Sequence, residues 1–240
     1  MSMSKARAIV FALAVAAFLM LAFSGPGSRM GWWDWRTGLT LYRWAAYVGI
    51  CAAGLAAVLV LMLAVPRWRA RPWTPILALI VALIAIAPPL IFLSRAKGVP
   101  PIHDITTDLA EPPPFVALAE VRGKAPNGVA YEGAAATEGQ QRAYGDIKPK
   151  VLAMPPREAV QRVIDAARAL GWEVAAIDAT TGRVEATATT RWFGFKDDVV
   201  VRVRPEGTGS RVDVRSASRV GGSDVGANAA RVREFLAKLT

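Results

Sequence analysis

Apolar residues follow two regimes along this chain, and the change falls near residue 93. Before it they form unbroken, uncharged runs: Ala8 to Phe23 (16 residues), Trp44 to Val65 (22) and Trp73 to Leu93 (21). A helix rises about 1.5 Å per residue, so roughly 20 residues cross the ~30 Å hydrocarbon core of a bilayer. The second and third runs are long enough to span it, and the first borrows from its flanks. After Leu93 apolar and charged residues intermingle and no comparable run appears. The pattern predicts an α-helical membrane anchor of three transmembrane helices over residues 1–93.

Beyond the anchor, residues 94–146 are rich in Pro and Gly and read as an extended, partly ordered lead-in. Residues 147–240 read as a soluble α+β domain. Ile147 to Met154 supplies a first strand, and Pro155-Pro156 opens a helix through Leu170 with Val160, Val163, Ile164 and Ala167 on one face and Gly171 at its end. Four strand-like segments follow: Trp172 to Asp178, Arg183 to Arg191, the stretch around Val199, Val201 and Val203, and Arg211 to Ser218. A period of two with short polar turns predicts an antiparallel meander with one buried face. Asp224 is the expected cap of a last helix whose apolar residues are Val225, Val232, Phe235, Leu236 and Leu239. Two helices on one face of such a sheet make a two-layer domain.

Within the anchor, Trp32, Trp33, Trp35, Tyr42 and Trp44 precede the second span, and Trp68 and Trp73 border the next link, as an aromatic belt at the headgroup level would. Ala45, Gly49, Ala53 and Ala57 form a small-residue ridge suited to packing inside the bundle. Pro88 and Pro89 are expected to kink or fray the third span. No Asp, Glu, Lys or His lies within the three runs, which disfavours transport through an ion or proton relay.

Charge sharpens the picture once it is divided. The chain carries a formal net charge of +10, which taken whole would suggest a nucleic-acid binder. Residues 1–93 hold eight Lys or Arg and one acid (+7), and the remainder holds 21 basic and 18 acidic residues (+3). Most of the excess therefore flanks membrane helices, and no nucleic-acid partner is expected. Lys5 and Arg7 precede the first span, and Arg67, Arg69 and Arg71 crowd the link between the second and third. This marks those two segments as cytoplasmic and predicts a multi-pass inner-membrane protein with its C-terminal domain outside, in a periplasm if the source is Gram-negative. Five basic residues, Arg29, Arg36, Arg43, Arg95 and Lys97, lie on the other side. The start also fits a secretory signal peptide with Ala22 and Ser24 as small residues of a cleavage site. Gly25-Pro26 and the two further spans favour a retained anchor. Cys51, the single cysteine, excludes a disulfide framework within the chain.

Three ordered blocks carry a resemblance: Phe193-Gly194-Phe195-Lys196-Asp197-Asp198-Val199, then Val214-Arg215-Ser216-Ala217-Ser218-Arg219-Val220-Gly221, then Ser223-Asp224-Val225-Gly226-Ala227-Asn228. Over roughly its last 140 residues the chain resembles domain-of-unknown-function family 1499, found in bacteria and plants, some of whose bacterial members have N-terminal membrane spans. Gly222 stands where that family often carries an aromatic residue, and Ala229-Ala230 where basic residues are frequent. The resemblance implies a domain type and no established activity.

The residues that could carry chemistry are few. His103 is the only histidine, and with Asp104 and Asp108 it makes an incomplete metal set, so neither a metal nor a cofactor is expected. Asp197 and Asp198 are adjacent on a strand and must point to opposite faces, whereas general acid–base work needs both groups in one cleft. A structural pairing with Arg191, Arg215 or Arg219 is the better expectation. Ser216, Ser218 and Ser223 lack a nearby base to activate them. Arg215, Arg219, Ser223, Asp224, Asn228 and Arg231 surround a glycine turn and a helix start, where free N–H groups attract anions. A capped helix tied to the sheet by Arg–Asp pairs is favoured over a small anionic-ligand or partner site. The leading functional expectation is a non-enzymatic, membrane-anchored domain that binds a partner, a lipid headgroup or an envelope component. The alternatives are an accessory subunit of a membrane complex, or a hydrolase-like enzyme using Asp197 or Asp198 with Asn228.

Overall fold

The computed structural model describes residues 2–66 and 71–239, so the expectations resting on Arg67, Trp68 and Arg69 lie outside the described residues. The chain divides into two units: Met1–Arg95 together with Arg191–Gly194, and Ala96–Thr190 together with Phe195–Thr240.

The first unit holds helices α1 (Met3–Arg29), α2 (Trp35–Met62) and α3 (Trp73–Lys97), each long and apolar enough to cross a membrane. Asp34 starts α2: its carboxylate accepts from the Arg36 and Thr37 N–H groups at 2.7 and 3.1 Å. The helices bury small residues against one another: Val10, Ala14, Ala17 and Leu21 on α1, Ala45, Gly49, Ala52, Ala56 and Leu59 on α2, and Ala78, Ala82 and Ala85 on α3. Large apolar side chains such as Phe18, Leu55, Val58, Ile80 and Leu83 point outward, the distribution suited to a hydrocarbon solvent. The ridge expected at every fourth residue is corrected beyond Gly49. Ala53 and Ala57 are half-buried, and Ala52 and Ala56 take their places. A step of four overshoots the 3.6-residue turn by about 40°, so a contact face must alternate steps of three and four. Gly49 is required where it stands, because a Cβ there would lie 2.9 Å from Ile86 Cγ1. α3 continues through Pro88 and Pro89 to Lys97, so the third span does not fray there.

Four residues of a distant turn, Arg191–Gly194, belong to this helical unit. Arg29 donates to the Arg191 carbonyl at 2.7 Å, and Trp192 Nε1 donates to Ser24 Oγ at 3.4 Å. The Phe193 ring meets Tyr42 edge-on at 5.7 Å.

The second unit is the expected α+β domain. Its strands are β1 (Asp104–Thr106), β2 (Lys150–Leu152), β3 (Glu173–Asp178), β4 (Arg183–Thr189), β5 (Lys196–Glu206) and β6 (Gly209–Ser218). β3 to β6 form the predicted antiparallel meander in consecutive order, and β1 and β2 pair end to end along the outer side of β6. Helices α4 (Ala119–Gly123), α5 (Ala134–Tyr144), α6 (Pro156–Ala169) and α7 (Ala227–Lys238) complete it. α6 and α7 cover one face with Val160, Val163, Ile164, Val232, Phe235 and Leu239 against Val184, Val199, Val201, Val203, Val212 and Val214.

Residues 94–146 differ from the extended lead-in read from their Pro and Gly content, since they supply β1, α4 and α5. The Gln140 side chain on α5 both donates to and accepts from the Thr106 backbone, closing the free edge of β1. The sheet face opposite α6 and α7 is buried as well: Val200, Ala217, Glu185, Asp198 and Asp213 are all fully covered. The single buried face expected of the meander is therefore corrected to two. Phe115, Leu118 and Val129 supply the apolar part of the cover.

Candidate functional site

Strand alternation sends the candidate residues to two places. Asp197 pairs in register with Ser218 and Val199 with Ser216, so these positions share the face toward α7. There Asn228, in the first turn of α7, uses all its hydrogen-bonding capacity. Its Nδ2 donates to Ser218 Oγ and to the His103 carbonyl, both at 2.9 Å. Its Oδ1 accepts from Ser216 Oγ at 2.6 Å and from Arg231. Arg231 also donates to Ser216 Oγ at 3.1 Å and pairs with Asp197 at 2.6 Å. The cluster bolts α7 to the middle of the sheet.

The chain enters α7 through a left-handed turn, with Val225 at φ +53° and Gly226 at φ +83°. Asp224 serves the helix from outside it, accepting from the Gly226 and Asn228 N–H groups at 2.8 and 2.6 Å. Burial pushes its carboxyl above the ordinary aspartate value, and the two N–H groups only partly offset that. Ser223 is exposed and accepts from the Val225 N–H. The reading of Val225 as a helical core residue is corrected: it lies in the turn before α7 and is only partly buried. A half-open hollow of about 230 Å³ lies beside the start of α7, lined among others by Trp172, Thr189, Arg231 and Glu234.

Asp198 points to the other face. It pairs with Arg219 at 2.8 Å and with Arg122 at 3.1 Å, and it accepts from Thr187 Oγ1 at 2.8 Å. Burial pushes the Arg122 guanidinium down, whereas the bond to Asp198 holds that of Arg219 up. Arg215 is taken by Asp104 at 2.7 Å, and Arg122 and Arg215 lie over the Phe115 ring at 4.5 and 4.9 Å. Further along, Arg202, Arg204 and Arg211 share Asp108 and Asp213. Burial alone would raise the Asp108 carboxyl, but the Glu111 N–H, Arg211, Arg202 and the Ala110 N–H outweigh it and hold it below the ordinary value. Glu185 accepts from the N–H groups of Val116, Ala117 and Leu118 at 2.9 to 3.0 Å, fastening the covering segment to β4.

The family model described as "Protein of unknown function (DUF1499)" matches residues 104–239. The chain belongs to the DUF1499 family. No curated protein matches it.

The start of the DUF1499 match coincides with β1, and its span takes in both faces just described. The ten candidate residues therefore do not form one site. Asp197, Ser216, Ser218, Asn228 and Arg231 meet at α7, with Asp224 capping that helix and Ser223 beside it. Asp198 and Arg219 meet on the far face, where Arg215 is bound to Asp104 instead. The pairing of the Asp197-Asp198 carboxylates with Arg191, Arg215 or Arg219 is correct for Asp198 and Arg219; Asp197 takes Arg231. The residues missed as partners are Asp104 on β1, Asp108 just after it, Arg122 on α4 and Glu185 on β4, the first three in the segment before β2 where no periodicity flags a partner. His103 Nε2 donates to the Glu132 carboxylate at 2.7 Å, and no cluster of three metal-ligating side chains occurs among the described residues. Ala229, the position next to Asn228 on α7, is fully buried against the sheet.

Proposed function

We propose that this chain is a non-enzymatic, membrane-anchored binding domain, held by three helices in the cytoplasmic membrane with its DUF1499 domain on the outer side. The observation that carries this reading is the saturation of the polar cluster. Every donor and acceptor of Asn228 is engaged within the protein, Arg231 and Asp197 hold each other, and the serines beside them bond to Asn228. A hydrolase would need a base or nucleophile free to meet substrate and two groups in one cleft. Asp197 and Asp198 lie on opposite faces, each bound to arginine. The basic residues before α1 and between α2 and α3 support the outward placement of the domain.

The experiment is purification of the full chain in mild detergent, with identification of stoichiometric companions. A membrane or envelope protein that co-elutes, and is lost when residues 96–240 are removed, is the expected result. A companion retained by the helices alone would instead favour the accessory-subunit reading. A chain that runs alone and turns over ester or phosphate substrates, with loss of turnover in Asp197→Asn, would overturn the proposal.

A further inference from the structure

Between the first half of α2 and the last third of α3 lies a groove of about 530 Å³, within the range of lipid and ligand sites. Its α2 wall includes Arg36, Thr40, Arg43, Tyr47 and Ile50. These positions advance by four, three, four and three residues and so form one stripe along the helix, about 21 Å long at 1.5 Å per residue. The stripe is cationic and polar at the start of α2 and apolar further along. The α3 wall, Pro89, Leu90, Phe92 and Leu93, is apolar throughout, and the Tyr42 ring meets Phe92 edge-on at 6.0 Å. Arg36 is two-thirds exposed and lies 3.6 Å from Asp34, and Arg43 is exposed with no ion pair among the described residues. A cationic end that continues into an apolar trough complements one class of bilayer molecule, a lipid with an anionic headgroup. We propose that the groove holds one anionic glycerophospholipid. Its phosphate meets Arg36 and Arg43, and an acyl chain runs along Tyr47, Ile50, Leu90 and Leu93.

The full chain, reconstituted in bilayer discs of equal phosphatidylglycerol and phosphatidylcholine, is released into the gas phase and its retained lipid identified. A basic side chain near a membrane surface favours anionic lipid by roughly fivefold. Retention of phosphatidylglycerol over phosphatidylcholine by about fivefold or more is therefore expected. The Arg36→Ala/Arg43→Ala double variant should bring the two lipids to parity. Both side chains project from the helix surface, so helicity by circular dichroism should not change. Ile50→Trp, which fills the trough and leaves both arginines in place, should lower retention of both lipids. Equal retention by the wild-type chain, a preference unchanged in the double variant, or a protein chain found in the groove in place of lipid would each overturn the proposal.

Discussion

Two guanidinium groups, from Arg122 and Arg219, converge on the Asp198 carboxylate, and the three are not equivalent. Asp198 and Arg122 are fully buried, whereas Arg219 reaches partly into solvent. Removing the carboxylate would leave Arg122 charged, enclosed and without its counter-ion, and breaking such a pair costs about 3–5 kcal/mol. Asp198→Ala should lower stability by that amount in denaturant melts of the full chain, while Arg219→Ala should cost under about 1 kcal/mol because Arg122 remains. An unchanged melt for Asp198→Ala would refute a structural role. Asp224 carries the opposite sign. Burial raises its folded-state carboxyl above the ordinary value of 3.8, so the buried charge is a cost that grows as pH rises through the folded value and vanishes below the unfolded one. The two N–H groups it caps are accepted by different oxygens, Oδ1 for Gly226 and Oδ2 for Asn228, so Asn would keep one acceptor and turn an NH2 toward the other N–H. Asp224→Asn should therefore be about 0.5–1 kcal/mol less stable than wild type at pH 4, where neither side chain is charged, and closer to it at pH 7, where wild type also bears the cost of its buried charge. Asp224→Ala should lose about 1 kcal/mol. A deficit for Asp224→Asn that widens at pH 7 would reverse the sign of the argument.

The elements differ in how far the sequence announces them. The meander and the helices α6 and α7 are legible because each repeats a pattern: Val199, Val201 and Val203 at a period of two, Val160, Val163, Ile164 and Ala167 at the helical period. The cover over the second face has no period. Residues 107–131 hold their shape through single side chains met at long range, such as Glu185 bound to N–H groups 67 to 69 residues earlier. A Pro-rich segment with no repeat looks the same in sequence whether it is loose or fastened. The alternation did indicate that Asp197 and Asp198 part company, but not where Asp198 finds its second arginine, since Arg122 comes from that aperiodic cover. Glu185→Ala tests the fastening directly. It removes the acceptor of three N–H groups, one of them buried, and should cost about 2 kcal/mol. Limited proteolysis should then cut between residues 107 and 123, where the wild-type chain resists. Equal resistance would mean that Phe115, Leu118 and the arginine network suffice to hold the cover.

At the scale of the whole molecule, the described helix boundaries refine the argument for orientation. Basic residues set topology when they lie in short links or close to the ends of the spans. The link between α1 and α2, residues 30–34, contains no Lys or Arg and one acid, Asp34. The link between α2 and α3, residues 63–72, contains Arg67, Arg69 and Arg71. Arg29, Arg36 and Arg43 stand toward the ends of α1 and α2 that flank the first link and add basic charge on that side, so the contrast lies between the links themselves. The two links thus differ in charge by four, +3 against −1, and Lys5 and Arg7 add to the basic side. On the proposed orientation, the segment before α1 and the α2–α3 link share the cytoplasmic side, and the chain after α3 emerges on the other. Protease added to intact spheroplasts should therefore remove residues 96–240 and leave a membrane-protected fragment of the size of α1 to α3. Moving three arginines from the second link to the first should reduce that cleavage several-fold, because the same rule would then act in reverse. Full protection of the wild-type domain until the cells are lysed would put it in the cytoplasm and remove the outward-facing half of the proposed function, while leaving the lipid groove to be judged by its own test.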